Sequence, residues 1–148
     1  MVGGEATRRA GSYLTHHPSP MPPSRRTTVV IADDDGVTRT LLRLILKEAD
    51  FDILGEALDG EAAVELCTQY KPDLVCLDVM MPKMDGIGAL KAIKAKFPSM
   101  AVMMVTGDSA TETVKEALQS GASGYVVKPF NVGRVLDAIA RVLNKPAA

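Results

Sequence analysis

No stretch of this 148-residue chain approaches the roughly 20 consecutive apolar residues that a membrane-spanning helix needs, so no membrane partner is expected. Cysteine is scarce. Cys67 and Cys76 are the only two, they sit in apolar surroundings, and they lack metal-ligand spacing, so they read as reduced core residues of a cytoplasmic protein without a zinc site. An excess of positive charge is missing too. Arg8, Arg9, Arg25 and Arg26 against Glu5 give residues 1–26 a net +3, and the total of −1 leaves −4 for the rest. An acidic body argues against direct nucleic-acid binding, which relies on a basic surface. Gly86-x-Gly88 lacks the rest of a dinucleotide fingerprint, and His16-His17 has no further metal ligands near it in sequence.

The hydrophobic content of 47% and charged content of 24% suit one globular domain with a real core. Residues 1–26 are set apart by composition. They carry Gly3, Gly4, Gly11, Pro18, Pro20, Pro22 and Pro23 without apolar periodicity, and read as a disordered N-terminal tail. Arg8-Arg9 is followed by no hydrophobic segment, so a twin-arginine export signal is rejected.

From Thr27 onward, apolar strands alternate with amphipathic helices. The β-branched run Thr28–Ala32 ends in Asp33-Asp34-Asp35-Gly36, and the following helix is expected to place Val37, Leu41, Leu44 and Ile45 on one face. Asp52–Ala57 reads as a shorter strand near an edge, followed by a helix capped by Asp59 with Val64 and Cys67 inward. A third strand runs Asp73–Asp78, and its helix starts near Asp85 or Gly86 with Ile87, Leu90 and Ile93 inward. The fourth strand, Ala101–Thr106, precedes a capping box at Ser109-Ala110-Thr111-Glu112 and a helix stopping near Gly121. The fifth strand, Gly124–Lys128, leads through Pro129-Phe130-Asn131 to a helix with Val132, Val135, Leu136, Ile139, Val142 and Leu143 at helical spacing. Five such units imply an α/β fold, a doubly wound parallel sheet with helices on both faces. Strand order 2-1-3-4-5, as in flavodoxin-like proteins, puts the most apolar runs inside and the weaker second strand at an edge.

Asp78 is a lone charge closing the apolar run Leu74-Val75-Cys76-Leu77. An unpaired carboxylate is costly inside a buried sheet, so Asp78 is placed at the strand's carboxyl end, where open α/β sheets bind ligands. That edge also collects Asp33 and Asp34 from the first strand, Thr106 from the fourth and Lys128 from the fifth. Clustered carboxylates repel unless a cation sits among them, and a few hard oxygen ligands open to water suit Mg2+. A hydroxyl and a lysine opposite the metal complete a pocket for a phosphoryl group.

Asp33-Asp34, Asp78 with Met81-Pro82-x-x-Asp85-Gly86, Thr106-Gly107 and Lys128-Pro129 together resemble the response-regulator receiver domains of two-component signalling, over residues 27–145. The resemblance implies that Asp78 accepts a phosphoryl group from the histidine of a kinase or phosphotransfer protein. It implies that Asp34 and Asp78 ligate Mg2+ with the Met80 carbonyl, that Asp33 assists, and that Thr106 and Lys128 contact the phosphoryl group. The Lys128-Pro129 bond is then cis, and Tyr125 occupies the aromatic switch position. Met80 and Asp108 stand where side chains tune dephosphorylation. The expected protein is a stand-alone switch of protein–protein interactions with a downstream protein target, not an enzyme beyond its own phosphoryl transfer and loss. A homodimer through the face of helix 4, strand 5 and helix 5 is a further option.

Taken singly these residues are ordinary. Asp35 and Asp85 read as helix caps, Thr106 as a β-branched strand residue, Lys128 as a solvated charge, and Tyr125 as a half-exposed edge tyrosine; the conjunction at one edge carries the reading. Two alternatives stand beside it. A magnesium phosphatase of the haloacid-dehalogenase type shares the fold class, but wants its nucleophile on an Asp-x-Asp loop after the first strand. A DNA-binding regulator would need Arg8, Arg9, Arg25 and Arg26 to act as a specific reader without a fold.

Overall fold

The computed structural model describes residues 26–107 and 111–144. The tail before Arg26, Asp108, the capping Ser109 and Pro146 lie outside the described residues. Among the described residues ten elements alternate: β1 (Thr28–Ala32), α1 (Gly36–Glu48), β2 (Asp52–Ala57), α2 (Gly60–Tyr70), β3 (Leu74–Asp78), α3 (Gly86–Lys96), β4 (Ala101–Thr106), α4 (Thr111–Gln119), β5 (Gly124–Val127) and α5 (Val132–Leu143). The strands pair in parallel in the order β2-β1-β3-β4-β5. This is the doubly wound order expected from the sequence.

Alternation within the strands builds two cores. Val30, Ala32, Val75, Leu77, Val102 and Met104 face α2, α3 and α4, where Cys67, Leu90 and Ile93 are buried. Val29, Ile31, Leu74, Cys76, Met103 and Val105 face α1 and α5, against Leu42, Leu46, Val135 and Ile139. Every residue of β3 is buried, as a central parallel strand requires. In β2 burial alternates along the strand, as befits an edge. Both cysteines are free and buried, and burial pushes each thiol up to about 12. No described helix is long and apolar enough to cross a membrane.

One expectation is corrected. Helix α1 turns Thr38, Leu42, Ile45 and Leu46 inward, whereas Val37 is 77% exposed, Leu44 58% and Leu41 41%. Its apolar residues form two overlapping stripes, both at helical spacing. The inner one includes Thr38, whose hydroxyl can be buried because it donates to Asp35 Oδ2 at 2.8 Å. Two strand ends also shift by one residue. Strand β3 starts at Leu74, and the Asp73 carboxylate just before it accepts the Thr28 N–H (2.9 Å) and hydroxyl (3.0 Å). The β5 ladder stops at Val127, leaving Lys128 just past it.

Candidate functional site

The carboxyl ends of β1 and β3 are neighbours, so the turns that follow them face each other. At the end of β1, the Asp33 N–H donates to the Ala57 carbonyl of β2 at 3.1 Å. Asp33 Oδ1 accepts the Asp35 N–H at 2.9 Å. Asp35 is the N-cap of α1, accepting from Val37 N–H (3.2 Å) and the Thr38 hydroxyl (2.8 Å). Those bonds, the Thr38 hydroxyl foremost, hold its carboxyl below the usual range. With Asp35 spent on capping α1, Asp33-x-Asp35 does not present two open carboxylates to a phosphatase-type reaction. Asp85 likewise caps α3 through the Gly88 N–H at 2.8 Å, and Asp59 caps α2 through Ala62 N–H at 2.8 Å.

Asp78 ends β3 only 3% exposed, and its Oδ1 takes a long bond of 3.4 Å from the Met80 N–H. That bond keeps the Met80 main chain at the pocket while its side chain stands 71% exposed. The chain then turns sharply, with Gly86 N–H on the Val79 carbonyl at 2.8 Å. A side chain at Gly86 would fall on the Asp78 carbonyl oxygen and 2.7 Å from Val79 Cα, so α3 can start this close to Asp78 only with glycine there. Gly60, opening α2, meets the Met84 carbonyl in the same way. The sequence reading missed Gly60, whose one local signal is its place directly after the Asp59 cap. Lys83, in the same loop, adopts φ 66°, a left-handed conformation that nothing in its sequence announces.

Thr106 is buried at the end of β4, and its carbonyl accepts the Lys128 N–H at 2.7 Å. The Lys128-Pro129 bond is cis. Lys128 Nζ lies 3.3 Å from Asp33 Oδ2 and 3.5 Å from Asp78 Oδ1. Asp33, Asp34 and Asp78 each bring a carboxylate oxygen within 4.8 Å of the others. The structure thus gathers Asp33, Asp34, Asp78, Met80, Thr106 and Lys128 at one edge. Tyr125 is not among them. It sits 43% exposed on β5, lining a groove of about 820 Å³ between β5, α4 and α5 with Leu118, Arg134 and Arg141.

The pocket is electrostatically tense. Burial, then the neighbouring Asp33 charge, pushes the Asp78 carboxyl up to about 6, with Lys128 pulling the other way. Burial draws the Lys128 ammonium down, but the Asp78 and Asp33 carboxylates outweigh it and the net shift is upward. Asp33 Oδ2 is buried and pairs with the Lys128 ammonium at 3.3 Å without the geometry of a hydrogen bond. A buried carboxylate oxygen held only by an ion pair, beside two further carboxylates, is the chemistry of a hard divalent cation site, and the residues present fit one.

Comparison with known proteins agrees with this geometry. The family model of the response regulator receiver domain matches residues 29–140. The chemotaxis protein CheY of Listeria monocytogenes is 41% identical over 113 residues, covering 76% of this chain and 95% of that protein. CheY of Halobacterium salinarum is 44% identical over 115 residues, covering 78% and 95%. Among solved structures, one chain of the CheX–CheY–BeF3–Mg2+ complex from Borrelia burgdorferi superposes with a TM-score of 0.78 at 35% identity, covering 80% of this chain and 90% of that one.

Proposed function

Because the chain belongs to the response-regulator receiver family, we propose that it is a phosphorylation-dependent switch of protein–protein interactions whose phosphoacceptor is Asp78. The observation that carries this reading is the placement of Lys128 Nζ 3.3 and 3.5 Å from the carboxylates of Asp33 and Asp78, within a cluster of three aspartates. A carboxylate is a weak nucleophile, but phosphoryl transfer depends chiefly on positioning and on neutralising charge. Residues 27–145 are taken as the receiver domain.

Asp33, Asp34, Asp78 and the Met80 carbonyl would hold Mg2+, which when bound supplies charge neutralisation at the phosphoryl oxygens. The remaining work falls to the chain itself. An Asp78 carboxylate oxygen attacks the phosphorus of a phosphohistidine on a histidine kinase or phosphotransfer protein. The phosphorus–nitrogen bond breaks, its electron pair returns to the imidazole, and that ring is reprotonated. Lys128 neutralises charge on the acyl phosphate, and the Thr106 hydroxyl donates to it. Tyr125 is the switch residue, and its groove on the α4–β5–α5 face receives the downstream partner or a second copy. Catalysis is confined to gaining and losing the protein's own phosphoryl group.

Incubation with acetyl phosphate and Mg2+, followed by intact-mass spectrometry, tests the reading. One added phosphoryl group is expected on wild type and none on Asp78→Asn. No Mg2+-dependent addition to wild type would overturn it.

A further inference from the structure

Asp33 has four polar groups, and three of them are tied down. Its N–H is bonded to Ala57 and its Oδ1 to the Asp35 N–H. Its carbonyl accepts Arg39 Nη1 at 3.0 Å. The same guanidinium turns its Nε to Glu56 Oε1 at 3.3 Å, and Glu56 is anchored again by Arg43 Nη1 at 3.0 and 2.9 Å. The Glu56 side chain is 5% exposed, held on β2 beside β1, the strand that Asp33 follows. Both backbone polar groups of Asp33 are therefore fixed to β2, one directly and one through Arg39. Oδ2 is left to face the pocket, where the Lys128 ammonium lies 3.3 Å away without the geometry of a hydrogen bond.

We infer that Arg39 is a positioning residue for the cation site: by clamping the Asp33 main chain to Glu56 it aims Asp33 Oδ2 among the carboxylates of Asp34 and Asp78. The inference rests on the reading of this pocket as a Mg2+ site. A guanidinium suits the task because its planar fork holds two acceptors at fixed angles, whereas an ammonium acts as a point charge. Arg43 shares Glu56 but has no bond to Asp33, so the two arginines separate the clamp from the ion pair.

The sign of the effect is diagnostic. Charge alone says that removing a cation near the pocket should tighten Mg2+ binding. Loss of the clamp says the reverse, and removal of such outer supports typically weakens metal binding by about tenfold or more. The experiment is calorimetric titration of Mg2+ alone into wild type, Arg39→Gln, Arg39→Lys and Arg43→Gln, each checked for folding by thermal denaturation. A Kd raised by about tenfold in Arg39→Gln is expected, with Arg39→Lys between it and wild type and Arg43→Gln unchanged. Affinity in Arg39→Gln equal to or tighter than wild type overturns the inference, as does equal weakening by Arg43→Gln. Should Arg39→Gln fail to fold, a wild-type Kd in Arg39→Lys overturns it. No Mg2+ binding by wild type would instead remove the underlying reading, and the inference with it.

Discussion

Asp78 contributes a pH dependence to the stability of the metal-free protein. Its folded-state carboxyl titrates near 6, raised by burial and by Asp33, while in the unfolded chain it titrates near the ordinary value of about 4. Between those values the folded state holds a proton that the unfolded state has lost, so stability falls as pH rises through the window. Asp78→Asn removes that cost. Without metal, the variant should be more stable than wild type at pH 7 by on the order of 1 kcal/mol after allowance for solvent screening. The advantage should vanish near pH 4, and thermal denaturation across pH reads it directly. The same proton competes with a cation, so Mg2+ should raise the wild-type melting temperature at pH 7 and have little effect at pH 5. At this scale most of the site was legible, because charged residues closing apolar strands have few places to go. Arg39 was not, because its contacts with Asp33 and Glu56 depend on how α1 lies against β2.

The elements carry two contrasts. At the start of α3, Gly86→Ala must displace the Asp78–Val79 backbone, whereas Gly107→Ala after β4 has no described atom within 4 Å of its new methyl group. The first should cost about 1–3 kcal/mol in urea denaturation and weaken Mg2+ binding, and the second should leave stability nearly unchanged. In α1, Leu42→Ala should cost about 2–5 kcal/mol because Leu42 is buried, while Leu44→Ala, at an exposed position, should stay within about 0.5 kcal/mol. That order reverses what the stripe Val37-Leu41-Leu44 suggests. Strands β1, β2 and β4 were legible to the residue, since β-branched or apolar runs between turns leave little latitude. The buried face of α1 was not, since six apolar residues in one helix allow two stripes and only packing on the sheet chooses between them.

At the scale of the whole molecule, the acidic pocket and the groove beside Tyr125 lie on different parts of one α/β body, joined by β4 and β5. Lys128 stands three residues past Tyr125, and the Thr106 carbonyl takes the Lys128 N–H, so paired strands β4 and β5 connect the pocket to the groove. A phosphoryl group would bias an existing equilibrium between two arrangements of that face. Beryllofluoride with Mg2+ should therefore alter hydrogen exchange in α4, β5 and the start of α5 in wild type, and leave Asp78→Asn unaffected. The phosphoryl group itself is expected on the Asp78 carboxylate. Borohydride reduces an acyl phosphate to the corresponding alcohol, so acetyl phosphate treatment with Mg2+, borohydride trapping and peptide mass spectrometry locate it. Conversion of Asp78 to homoserine, absent without Mg2+, is the expected result; conversion at another aspartate, or none at all, would contradict the account.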